Sequence, residues 1–373
     1  MSLKNAPQYD NFFKFLYFQK TFKRFFNEKS NTTVGSLYFL RLFLMRSDVN
    51  GNVKNNYQAH VDFFHDVCEE LLIAQAMEYF KMHSKNDVPT QHMLPENIDQ
   101  MSKSERTDLA DAMLTQYLTE HHYGEAVLSS CGIEIAPDGQ PDEMYNYCTQ
   151  LCHWALHFFH MEDTAKEGDP DRLISNLKYS SLFFYSHSRL SHYLTDCIDF
   201  IIKTQYLLSP QSALRVLEGA FVNLKGGAGG CVETDLKVEH TVRLRKTLIR
   251  ALGANKSEKA MVRATSAADA VGVVCDAMDQ ALHVKQKSAR HSKRSSDKDR
   301  QQLAELYNEL EPFAHTPGRK MPYCTKASVQ ANPLALVDCA QLKTHIYDII
   351  FRILDGCGVM VEDGELEFTD EEE

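Results

Sequence analysis

Apolar residues recur along this chain at helical spacing over most of its length. Val61, Phe64, Val67, Cys68, Leu71, Leu72 and Phe80 repeat at intervals of three and four, which predicts an amphipathic helix over residues 58–82. Ser104 is expected to open the next helix, with Leu109, Ala112, Met113 and Leu118 on one face. Residues 131–143 carry two prolines and two glycines and read as loop. Helix returns over 143–161. Asp169 then stands where an N-cap belongs, with Pro170 at the first helical position, and Ser209 with Pro210 repeats that arrangement. Further helices are expected over 171–185, 189–207, 210–223, 236–252, 257–284, 298–311 and 333–355.

Strand signals are few. The N-terminal run FFKFLYFQKTFKRFF is aromatic and reads equally as helix or strand. Seven or more helices without alternating strands predict a mainly α domain, an irregular multi-helix fold with helix packed on helix and little or no sheet. The expected organisation is an aromatic-rich N-terminal segment over 1–57, a main helical domain over 58–355 and an acidic disordered tail over 356–373. The apolar stretch 177–208 is expected to form the core.

Charge refines this picture. The net charge is −11, but the last twelve residues hold eight acids, and without them it is −3. The body is close to neutral, so bulk charge does not mark a nucleic-acid binder. Residues 285–300 are the local exception, with seven Lys and Arg against two Asp. That segment is expected to be a solvated loop, with nucleic acid or protein as its candidate partner. No apolar run approaches the roughly 20 residues that span a bilayer, so no membrane contact is expected. The first residues lack a signal-peptide pattern, which predicts an intracellular protein, with the nucleus as a candidate compartment. Ten scattered cysteines fit reduced thiols.

The densest local signal is Asn223–Leu248, where four glycines within five residues precede a charged helix start. Glycine is used where φ must be positive. Gly226–Gly230 is therefore expected to be a turn that positions a helix capped by Asp235. Asp235 and Glu239 are four residues apart and could hold Mg²⁺ between two carboxylates, with His240 beside them as a catalytic candidate. The simpler expectation is Asp235 as cap and Glu239 paired with Arg243. The glycine loop lacks the Lys and Ser/Thr of a phosphate loop, so no nucleotide cofactor is expected. Cys148, Cys152, His153, His157 and His160 are zinc-type ligands, but Trp154, Leu156, Phe158 and Phe159 interleave with them, as in a packed helix. There is no Gly-x-Ser-x-Gly nucleophile elbow.

An ordered series of residues resembles a large uncharacterised domain family of animals and fungi, found in reading frames that look transposon-derived. The series is Gly168, Asp169, Asp171 and Arg172; Lys178 and Tyr179; Pro210; Phe221, Val222 and Asn223; Gly226, Gly227 and Gly229; Asp235, Leu236, Glu239 and His240. The resemblance covers residues 167–248 and extends over about 58–355. Members usually carry Asn two residues after the Glu-His pair, where this chain has Val242. Longer members carry an upstream Gly-Asp motif that this sequence lacks, which makes it an apparently N-terminally shortened member. The resemblance implies a family and a mobile-element origin; the function expected for the chain is a non-catalytic helical binding or structural module. Its alternative is a metal-dependent nucleic-acid-processing enzyme, or an inactive remnant of one, that uses Asp235 and Glu239.

Overall fold

The computed structural model describes residues 10–92, 100–115, 126–129, 132–135, 142–187, 190–223, 226–283, 291–324 and 337–356. The protein is mainly α, as the apolar spacing predicts. The described helices are α1 (Asp10–Phe25), α2 (Leu37–Phe43), α3 (Tyr57–Phe80), α4 (Lys103–Leu114), α5 (Glu143–Glu167), α6 (Pro170–Ser186), α7 (Ser191–Ile202), α8 (Pro210–Glu218), α9 (Thr234–Ala251), α10 (Glu258–Ser266), α11 (Ala268–Ala281), α12 (Lys293–Leu310) and α13 (Cys339–Gly356). Two short antiparallel pairs join them. β1 (Ala126–Ser129) pairs with β2 (Gly132–Ile135), and β3 (Phe221–Asn223) pairs with β4 (Cys231–Glu233). The chain divides into two compact units.

One unit is built from the described residues within 12–162 and 236–335. Its core forms around α1, the segment that could have been helix or strand. Phe13, Tyr17, Phe18, Phe22 and Phe25 are all buried. Their spacing of four, one, four and three places them on one helical face, whereas a strand would scatter them over both of its faces. Phe18 stacks on Phe158 of α5 at 4.6 Å and meets Phe64 of α3 edge-on at 5.4 Å. The Tyr147 hydroxyl accepts from Leu37 N at 3.0 Å and donates to Phe25 O at 3.1 Å, so its polar end is satisfied inside the core. Asp142 is fully buried at the head of α5, accepts from the backbone of Met144 and Tyr145, and takes two bonds from Arg319 at 2.7 and 2.9 Å. The remaining donors of that guanidinium reach the carbonyls of Leu310, Glu311, Pro312 and Ala314. A single arginine thus closes the turn after α12 onto the start of α5.

The other unit is built from the described residues within 1–11, 163–235 and 336–373. α6 packs along α7, and α7 packs along α13. Phe183, Phe184, Leu194 and Cys197 are buried between them. The expected core of the protein at 177–208 is therefore only the core of this unit. The larger aromatic core belongs to α1, α3 and α5, because the N-terminal aromatics fold back onto helices that follow them.

Several element expectations need correction. α4 opens at Ser102, not Ser104: Ser102 accepts from Glu105 N while the Glu105 side chain accepts from Ser102 N, a reciprocal cap. The helix expected over 210–223 ends at Glu218 and gives way to strand β3. The helix expected over 257–284 is two helices. Thr265 and Ser266 donate their hydroxyls to Met261 O and Val262 O, which competes with the main-chain ladder where α10 stops. α7 ends in a π turn at Lys203–Leu207. The expected solvated loop at 285–300 is helical from Lys293, with Ser292 as N-cap; residues 284–290 lie outside the described residues. The acidic tail beyond residue 356 also lies outside them.

Candidate functional site

The signature residues occupy five local positions, with Pro210 opening α8 behind its Ser209 cap. Gly168 follows α5 with φ +70°, and the main chain turns there into α6. Asp169 caps α6 as expected, accepting from Asp171 N at 3.0 Å and Arg172 N at 3.1 Å. Arg172 reaches back to pair with Asp163 near the end of α5. Nearly two turns further on, Lys178 is exposed while Tyr179 is half-buried, and burial pushes the Tyr179 hydroxyl pKa up.

The glycine loop connects β3 to β4. Gly226, Gly227 and Gly229 all have φ between +66° and +87°, a region that other L-residues enter at a cost. Asn223 donates to Gly227 O at 2.7 Å and so holds the loop from its base. The hairpin leans on the α5–α6 corner: a Cβ built on Gly168 would lie 3.0 Å from the Cys231 sulfur and 3.6 Å from Phe221 Cβ. Thr234 then donates its backbone N–H to Ala220 O at 2.9 Å and its hydroxyl to Gly219 O at 2.8 Å, which closes the hairpin on the end of α8.

β4 runs directly into α9. Because α9 begins at Thr234, Asp235 lies inside its first turn and is not the cap. Glu239 and His240 are exposed, and so is Arg243. The expected Glu239–Arg243 pair does not form: neither side chain has a hydrogen bond or ion pair among the described residues. No residue of α9 is buried.

Residues 13–291 match the family model DUF6589, described as a family of unknown function. The chain belongs to DUF6589. All the signature residues from Gly168 to His240 fall inside the matched range. No curated protein and no solved structure matches the chain.

In this DUF6589 chain the zinc-type residues of α5 differ in burial, with His160 exposed and His153 half-buried. Cys148 and Cys152 are buried, and burial pushes the Cys148 thiol up to about 12, far from the thiolate that zinc needs. His157 is pushed down to about 3 by burial, with His160 and His153 adding repulsion, and it meets Tyr17 edge-on at 4.8 Å. Among the described residues, no group of three His, Cys, Asp or Glu is placed to hold a metal.

Sequence reasoning missed a charged network in the first unit. Arg46 is buried after α2 and bonds Asp299 of α12 at 3.1 Å. Arg300 bonds Asp66 at 3.0 Å and Glu69 at 2.5 Å, both on α3. Burial alone would lower the His65 pKa, but hydrogen bonds to Glu162 at 2.5 Å and Glu69 at 3.2 Å outweigh it and raise the value to about 9. Within the basic segment 285–300, Arg300 thus has its charge spent on α3. The i,i+4 spacing of His65 and Glu69 was the one local signal of this network.

Proposed function

We propose that this DUF6589 chain is a non-catalytic helical binding module derived from a mobile-element protein. The observation that carries this reading is α9, a helix of 18 residues with no buried side chain and with exposed charges that no partner among the described residues takes up. A helix of this kind contributes little packing to its own fold, and its composition is free to serve a partner. The signature residues around it support the same reading. Asp169 is used as a cap, Asn223 as a loop brace, and the glycines as turn residues. The mobile-element origin rests on the resemblance of the signature series.

No helix among the described residues is long and apolar enough to cross a membrane. The deciding experiment is to incubate the purified chain with labelled DNA and RNA in Mg²⁺ or Mn²⁺. The expected result is no strand scission or joining. Metal-dependent turnover that disappears in Asp235→Asn or Glu239→Gln would overturn the reading.

A further inference from the structure

We propose that α9 and α10 form a surface that binds the phosphate backbone of a double-stranded nucleic acid. The proposal rests on the binding-module reading and gives that module its ligand class.

The first observation is charge. Residues 236–266 hold eight Lys and Arg against two Glu, a net +6, while the rest of the chain carries −17. A local excess of that size in an acidic chain is the electrostatic footprint of a polyanion site. The segment is distinct from 285–300, where Arg300 is consumed by Asp66 and Glu69.

The second observation is availability. None of these eight cations has an ion pair or side-chain hydrogen bond among the described residues, and seven are exposed, Lys237 being half-buried. Elsewhere in the protein, Arg46, Arg172, Arg300, Arg319, Lys85 and Lys203 are all paired. Cations such as Lys178, Arg215, Lys293 and Arg294 also stand unpaired among the described residues, so what sets 236–266 apart is how many unpaired cations it gathers against two Glu.

The third observation is arrangement. Arg243, Lys246 and Arg250 stand at i, i+3 and i+7 and share one stripe of α9, rising roughly 10 Å along the axis. The opposite stripe, with Leu244 and Leu248, faces the protein: a Cβ on Gly272 of α11 would touch Leu244 at 3.5 Å. On α10, Lys259 and Arg263 are i,i+4 and exposed, with Lys256 just before the Ser257 cap. Rows of cations at helical spacing suit a repeating phosphate backbone, which gains affinity by releasing its condensed counterions.

Two alternatives are disfavoured by composition. Residues 236–283 contain no Phe, Tyr or Trp. Single-strand binding leans on aromatic stacking, and membrane-surface helices seat bulky apolar or aromatic groups below their basic face. Here the flanking apolar side chains on α9 are only Val238 and Val242. Backbone contact with a duplex needs neither.

The test is fluorescence anisotropy of the full chain with labelled duplexes of arbitrary sequence, one DNA and one RNA, in EDTA across a salt series. Binding of either duplex, with log K falling linearly in log salt, supports the surface and names the source. Replacing Arg243, Lys246 and Arg250 with Gln together should weaken binding by about tenfold or more and lower the salt slope by roughly 3. Lys259→Gln with Arg263→Gln should lower it by roughly 2. Glu239→Gln removes an exposed acid from the α9 stripe and should tighten binding. All these sites are exposed, so circular dichroism should match the parent chain. The proposal fails if no duplex binds, if the triple variant binds as the parent does, or if phosphatidylserine vesicles are bound in place of duplex. EDTA keeps this readout separate from catalysis. Duplex binding together with Mg²⁺-dependent scission would leave the surface standing and sink only the non-catalytic reading.

Discussion

A methyl group on Gly168 would lie 3.0 Å from the sulfur of Cys231, closer than a carbon normally approaches. That contact ties the α5–α6 corner to the β3–β4 hairpin, two parts of the signature that are 63 residues apart in sequence. Gly168 also has φ +70°, so a side chain there meets both a strained backbone and an occupied space. Gly226 has the same φ with nothing within 4 Å of its Cβ position. Gly168→Ala should therefore cost more than Gly226→Ala. The second should cost about 1 kcal/mol, and the first should exceed it clearly. Urea denaturation of the two variants measures the difference, and equal losses would mean that the corner relaxes away from Cys231.

Asp169 caps two backbone donors of α6, whereas Asp235 lies inside the first turn of α9 and not at its cap position. Asp169→Ala should lower stability by about 1 kcal/mol. Glu239→Gln should change it by no more than a few tenths, since Glu239 is exposed and pairs with nothing among the described residues. Thermal melts of both variants in the absence of metal check this order.

The His65 imidazolium predicts a pH dependence. Its folded pKa, raised to about 9, lies above the ordinary value of 6.5. A raised pKa contributes stability that is complete below about 6.5 and lost as pH rises through about 9. The loss should be on the order of 3 kcal/mol. Glu69, held below its ordinary range by its hydrogen bond to His65 and then by the Arg300 charge, contributes in the opposite sense and weakens toward acid. Stability should therefore peak between about pH 5 and 6.5 and decline to pH 10. In His65→Gln the alkaline decline should flatten; a decline of unchanged size would assign it to other groups.

Arg319 and Asp142 form the closure with the most to lose. Asp142 is fully buried, so removal of the guanidinium strands a carboxylate away from water and takes a donor from four carbonyls. Arg319→Met should cost about 3–5 kcal/mol. Arg319→Lys should recover little, because an ammonium cannot make the two parallel bonds. Chemical denaturation gives both values.

The packed thiols of α5 make a metal prediction. The purified chain should carry no stoichiometric zinc, and a chelator should leave its circular dichroism unchanged. One zinc per chain, with unfolding on its removal, would contradict the burial of Cys148 and Cys152.

What the sequence determined by itself was local. The Asp169-Pro170 and Ser209-Pro210 starts, the α3 boundaries and the glycine turn were all legible, because caps, periodicity and positive φ are set within a few residues. The tertiary structure decided whatever depends on which distant groups meet. The N-terminal aromatics became a helix because α3 and α5 offer a face that a helix can fill. Arg300 left the basic segment because Asp66, 234 residues earlier, lies within bonding distance. Glu239 stayed unpaired although Arg243 stands one turn away, since an exposed i,i+4 pair gains only a few tenths of a kcal/mol and that gain does not hold two long side chains in place. Local signals report what a segment prefers. Burial and long-range pairing follow the path of the whole chain, and no window of the sequence contains that path.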